Sequence, residues 1–186
     1  NSRKKILPKL KLELESILNN LGMKHASFVF NVYDSKDYNR FGKNTIKVMF
    51  SSNKGIEHAP LFKVASGGEL SRILLSIKSV LSSHSKSPTM IFDEIDTGIS
   101  GEMSNAMANI MLQMSKNMQI IAITHLPQIA AKGNHHFNVY KYDKFGIINT
   151  KIKKLNSNER IDEIAKMLSG DVISDSALVH ARELLN

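Results

Sequence analysis

The stretch Thr89-Met90-Ile91-Phe92-Asp93-Glu94 limits what this chain can become more than any other. An uncharged, mostly apolar run reads as a buried strand, and two carboxylates stand at its C-terminal end. In open α/β sheets that edge is where ligands bind. Two acids there can divide labour: Asp93 can hold Mg2+ directly or through water, and Glu94 can orient and deprotonate an attacking water. A helix-capping aspartate beside a surface glutamate explains the pair equally well, so the stretch needs company before it carries a function.

Two further stretches supply it. Ser66-Gly67-Gly68-Glu69-Leu70 opens a helical pattern. Its glycines let a backbone come close to a ligand, and a serine hydroxyl with unpaired amides at a helix start forms an anion site. The same residues read as an N-cap, with Glu69 the capping-box partner, and both readings hold together. Ile120-Ile121-Ala122-Ile123-Thr124-His125 is a second apolar strand ending in a polar residue. There His125 can donate a hydrogen bond to a terminal phosphate or to an attacking water; a structural histidine is the plain alternative. The order of the three resembles that of ABC-type ATPases. The spacing of 24 from Gly68 to Phe92 leaves room for one helix and one strand. The expectation is that the serine-diglycine start, the acid pair and His125 converge at one end of one sheet.

Around these motifs the pattern is α/β. Leu7, Leu10, Leu14, Ile17 and Leu21 recur at heptad spacing, which fits the end of a coiled coil or an ordinary amphipathic helix. Pro8 fits only a first helical turn, so the helix is expected to begin there and to end at Gly22. Strands are expected at 28–33 and 45–50 around a polar turn at 34–42, then a helix at 69–83, the strand at 89–93 and a helix at 102–115. Met103, Met107, Met111 and Met114 lie at helical spacing and read as core filler. A strand at 119–124, strands at 137–142 and 147–153, and helices at 159–168 and 174–185 complete the chain. Strands alternating with helices call for a partly parallel sheet flanked by helices.

The chain has 186 residues, of which 42% are hydrophobic, enough for a real core. Without cysteine it has no disulfide and no thiolate metal site. No apolar run reaches membrane-spanning length. The formal charge of +8 favours a polyanionic partner, nucleic acid first, although a solvated basic surface accounts for it too. Lys132, Lys141, Lys144, Lys151, Lys153 and Lys154 offer one place for such contact, and lysines protecting a strand edge explain them as well.

The flanks sharpen the resemblance. Lys63-Val64-Ala65-Ser66-Gly67-Gly68-Glu69-Leu70-Ser71-Arg72, Ile91-Phe92-Asp93-Glu94-Ile95-Asp96-Thr97-Gly98-Ile99-Ser100-Gly101 and Ile123-Thr124-His125-Leu126-Pro127-Gln128 resemble the RecN family of SMC-like ATPases. The resemblance implies the C-terminal lobe of an ABC/SMC-type P-loop ATPase head over residues 23–186, with residues 1–22 the end of a coiled-coil arm. It implies ATP and Mg2+ as cofactors, with Asp93 the magnesium residue, Glu94 the catalytic base and His125 the switch histidine. Ser66, Gly67, Gly68 and Glu69 would be the signature loop, and Thr97, Gly98 and Ser100 would belong to the D-loop. Many ABC proteins carry aspartate where Ser100 stands, which favours RecN over a transporter ATPase. No Gly-x-x-x-x-Gly-Lys-Ser/Thr is present: Gly42-Lys43-Asn44-Thr45 fails, with Asp37 and Asn44 in the wrong places. The phosphate loop is therefore expected from an N-terminal half of the same protein, a second head would complete an ATP-sandwiched homodimer, and DNA is the remaining partner. The implied role is DNA double-strand-break repair in the cytoplasm, at the nucleoid, with no membrane partner. Tight ATP binding by this stretch alone is not expected. A DNA-tethering module with little hydrolysis, or half of another ABC/SMC ATPase, are the competing functions.

Overall fold

The computed structural model describes residues 2–40, 42–64, 66–84, 88–96, 98–99 and 101–186, with the backbone alone for Asn39, Phe62 and Val64. They form two compact units, one of Asn1–Pro88 with Ile95–Ala106, the other of Thr89–Glu94 with Met107–Asn186. Gly22, where the sequence suggests a change from arm to lobe, lies inside the first unit.

The first unit opens with α1 (Ser2–Asn20), which starts before Pro8 rather than at it. Proline lacks the amide that would bond the carbonyl of Lys4, so the helix forgoes one hydrogen bond there. The early turn is held instead by Arg3, whose Nη1 donates to the Asn44 carbonyl at 3.0 Å. Leu14 and Leu18 are buried against Phe28, Phe50 and Ile73, with Leu10 packed beside them. Leu18 is outside the heptad series, so this part of the helix packs as an amphipathic face on its own lobe. Gly22 stands at φ 81°. Its amide donates to Asn19 at 3.1 Å and the next amide, of Met23, to Leu18 at 2.9 Å. That pair of bonds is a Schellman cap, which needs a residue free of the left-handed penalty.

β1 (Ser27–Asn39) and β2 (Gly42–Ser51) pair antiparallel, and the short β3 (Ala59–Pro60) adds to β2. The ladder runs from Ser27↔Ser51 to Asp34↔Asn44 and resumes at Asn39↔Gly42, so most of the expected polar turn is strand. Backbone pairing tolerates polar side chains, and the Asn44 amide also donates to the Asp34 carboxylate. A short α2 (Leu61–Val64) leads to α3 (Gly67–Ser82).

The second unit is built on β4 (Thr89–Asp93) and β5 (Gln119–Ile123), parallel and in register from Thr89↔Gln119 to Asp93↔Ile123. Between them in sequence runs α4 (Gly101–Met114), which belongs to this unit from Met107 onward, and Met107, Met111 and Met114 are buried as core filler. β4 is not buried on both faces, contrary to its apolar sequence. Phe92 is covered, whereas Ile91 is 64% exposed, and Ile121 and Ile123 share that open face. Parallel strands are normally covered on both sides. Among the described residues, β5 pairs only with β4.

After β5 come α5 (Pro127–Lys132), the hairpin β6 (Phe137–Lys144) and β7 (Ile147–Lys154), α6 (Ser157–Ser169) and α7 (Asp175–Leu185). Ala131, Ile164, Ala165, Ala177 and Ala181 form the buried cluster of α5, α6 and α7. Asn156 and Glu159 close a capping box on α6. Arg160 donates from Nη2 to the carbonyls of Ala131 and Gly133 at 3.1 and 2.8 Å, tying α6 to the end of α5. No helix among the described residues is long and apolar enough to cross a membrane.

Candidate functional site

The acid pair and the histidine follow the same C-terminal edge of the parallel strands of the second unit. Asp93 is the last residue of β4 and lies opposite Ile123, the last residue of β5; Glu94 follows the first strand, and Thr124 and His125 follow the second. The sheet ends sharply there. Glu94 adopts φ 47°, a left-handed conformation that costs a non-glycine residue roughly 1–2 kcal/mol. It is held by its own amide, which donates to the Ile123 carbonyl at 3.1 Å. Consecutive residues of an ordinary strand point to opposite faces; the left-handed turn at Glu94 breaks that alternation directly after Asp93. Asp93, Glu94 and His125 are all exposed.

The loop that carries His125 is shaped by its neighbours. The Thr124 hydroxyl accepts from the Leu126 amide at 3.0 Å. Leu126 is the N-cap of α5 and Pro127 occupies its first turn, where the missing amide costs nothing. Thr124 thus shapes the turn between β5 and α5, a contact that the strand pattern alone does not single out. A hydroxyl two residues before the N-cap amide is the local signal that would have found it.

The serine-diglycine start belongs to the first unit, at the beginning of α3. Ser66 is the N-cap: its Oγ accepts from the Glu69 amide at 3.4 Å, and the Ser66 amide donates to the Glu69 carboxylate at 2.8 Å. This is the capping box expected from the spacing. Gly67 is exposed, and among the described residues a Cβ built on it would meet nothing within 4 Å. Nothing in the packing of the described residues requires glycine there. Two residues beyond Leu70, Arg72 donates from Nη1 to the Met103 sulfur at 3.2 Å, joining α3 to α4. The same sulfur lies 2.8 Å from where a Cβ on Gly22 would sit, so the end of α1 meets that contact too.

Gly98 stands at φ 76° in the turn after β4, a conformation suited to glycine. Thr97 and Ser100, expected beside it in the D-loop, lie outside the described residues. Among the described residues no three His, Asp or Glu side chains group as a ready-made metal site. A magnesium site does not need such a group: Mg2+ commonly takes one or two carboxylates and completes its shell with phosphate oxygens and water.

No family model matches the chain. Curated relatives do. A DNA repair protein RecN of Deinococcus radiodurans is 40% identical over 172 residues, 92% of this chain and 30% of the relative. The RecN of Haemophilus influenzae is 37% identical over all of this chain and 33% of its own length. That of Bacillus subtilis is 42% identical over 77% of this chain and 25% of the relative. Among solved structures, an Smc head domain with a coiled coil and joint from Pyrococcus yayanosii superposes with TM-score 0.67 at 16% identity, covering 89% of this chain and 30% of that one. An Smc head with an extended coiled coil from Pyrococcus furiosus, bound to the C-terminal domain of ScpA, gives 0.63 at 17% identity, covering 89% and 39%. The fold is that of SMC heads, a mixed α/β lobe with a small parallel sheet flanked by helices. Spanning a quarter to a third of the length of these curated relatives, the chain belongs to the RecN family.

Proposed function

We propose that this chain is the signature and Walker B half of an ATP-hydrolysing head that works in DNA repair. The observation that carries the reading is the juxtaposition of Asp93, Glu94 and His125 at the C-terminal end of two parallel strands, with Glu94 turned out of the strand by its left-handed backbone. Structural acids have no need of that conformation; strain of this kind gathers at functional sites.

In this reading Asp93 holds Mg2+, and Glu94 orients the attacking water and takes its proton. His125 donates to the terminal phosphate. Bound Mg2+ supplies neutralisation of the charge that develops on the transferred phosphoryl group. Ser66, Gly67, Gly68 and Glu69 form the signature loop of the opposite site, reading the terminal phosphate of ATP bound to a second head. The open surroundings of Gly67 support an approach from outside the unit. The phosphate loop comes from an N-terminal half. The exposed Ile91 and Ile121, and the pairing of β5 with β4 alone among the described residues, support a further protein segment against this sheet. The relatives' name, DNA repair protein RecN, and an SMC ATPase neighbour described by its ATP-driven dimerization and DNA-stimulated activation, with TM-score 0.59, support the assignment.

The test is complementation between dead heads in the intact protein. Ser66→Arg blocks the signature loop and Glu94→Gln removes the base. Each variant alone is expected to lose hydrolysis. Mixed, they form heterodimers with one site built from an intact acid pair and an intact signature loop, so a substantial part of the parent rate returns. Mixtures as inactive as the separate variants would sink the shared-site reading.

A further inference from the structure

We infer that the distal end of the β1–β2 hairpin, with the first turn of α1, is a docking surface for single-stranded DNA. This rests on the DNA-repair reading above and assigns its DNA contact to one place.

Charge is the first observation. Residues 1–54 hold eleven of the 25 Lys and Arg but only four of the 17 acids, so this stretch carries seven of the chain's eight net positive charges. The excess is greatest at one end. Further along α1, Lys9 and Lys11 form i,i+4 ion pairs with Glu13 and Glu15, at 3.7 and 3.8 Å. The first turn holds Arg3, Lys4 and Lys5 with no acid. Arg3 donates to the carbonyl of Asn44, on the hairpin strand that leads back from Lys43, so that turn lies against the hairpin. There the distal stretch adds Lys36, Arg40 and Lys43. Two acids, Asp34, which accepts from Asn44, and Asp37, stand beside them, against six cations from the two elements.

Aromatic side chains are the second observation. Tyr38 is 82% exposed on this hairpin, and Tyr33 is half exposed with the Lys47 ammonium 5.4 Å from its ring centroid. Neither ring is part of the unit's core cluster. Rings interleaved with lysines are the equipment of a single-strand site: the cations follow the phosphates, and the rings stack on bases of any sequence. A duplex hides its base faces and would leave Tyr38 unused.

The late lysines do not make a comparable surface. The β6–β7 register puts Lys141 and Lys154 on one face and Lys144, Lys151 and Lys153 on the other. Lys153 is bonded to Glu159, and Lys151 sits 5.0 Å from the Tyr142 ring.

The test uses the intact protein without nucleotide, with fluorescence anisotropy of a labelled oligo(dT) and of a duplex of equal length. The parent is expected to favour oligo(dT). The double variant Lys36→Glu/Lys43→Glu should bind oligo(dT) at least tenfold more weakly, with a salt slope shallower by about 1.4, two contacts at ~0.7 each. Tyr38→Ala should lose about 5- to 160-fold from one base stack, and Tyr38→Phe should restore it. Unchanged affinity and slope in the double variant, or equal binding of duplex and single strand, would overturn the proposal. None of these residues belongs to the hydrolytic site, so basal ATPase should stay at the parent level. Loss of DNA binding with turnover intact therefore tests this surface, whereas the mixed-head result tests the nucleotide reading.

Discussion

The amide of Glu94 donates to the carbonyl of Ile123 at 3.1 Å, one residue past the last parallel pairing of β4 with β5. This bond fixes the turn at which Glu94 leaves the strand, and through it the acid pair is tied to the strand that leads to His125.

Glu94→Gln in the intact protein should lower ATP hydrolysis by about 10²- to 10⁴-fold, the usual contribution of a general base. ATP-dependent association of heads should persist, because the amide keeps the shape and the hydrogen-bonding reach of the carboxylate. Phosphate release and analytical ultracentrifugation read the two effects separately. A second substitution separates strain from chemistry. Glu94→Gly removes the side chain at φ 47° and should leave the melting temperature no lower than the parent's while hydrolysis is lost.

Gly22→Ala should destabilise the protein by roughly 1–3 kcal/mol. Alanine at φ 81° carries the left-handed penalty, and its Cβ would meet the Met103 sulfur at 2.8 Å. Denaturant unfolding measures the loss. Adding Met103→Ala removes the clash but not the backbone term, so the pair should be non-additive. Strict additivity would show that the approach of Met103 to Gly22 has no energetic consequence.

Ser66→Ala should cost about 1 kcal/mol by removing the N-cap acceptor of α3, and Ser66→Thr should restore most of it. Thermal unfolding reports the change. If the same hydroxyl also serves a terminal phosphate, alanine should weaken ATP-dependent head association beyond what its stability loss explains.

Stability should fall on mild acidification through His136. Burial, with the nearby Arg160 guanidinium, holds its pKa below the ordinary value of 6.5, while Glu163 opposes them. The unfolded chain therefore takes up a proton at a pH where the folded one resists it. The contribution is complete above the ordinary value and is lost as pH drops from there through the lowered folded value. Urea midpoints at neutral pH and below should show this decline, and His136→Gln should flatten it.

Much of this was legible in the sequence because it depends on neighbours along the chain. The capping box at Ser66 and Glu69, the left-handed cap at Gly22 and the span of β4 are set within a few residues by hydrogen bonding and φ preference. So is the buried methionine face of α4, which follows from helical period. The order of the three motifs pointed to the family for the same reason. Tertiary contact decided the rest. The start of α1 before Pro8 depends on Arg3 reaching a carbonyl 41 residues away. The turn at Glu94 depends on an amide finding a strand that lies a whole helix later. The exposure of Ile91 is set by what covers a sheet face, and an apolar run in sequence is identical whether one face or both are covered. Local rules fix what a segment can be; long-range packing fixes which groups meet.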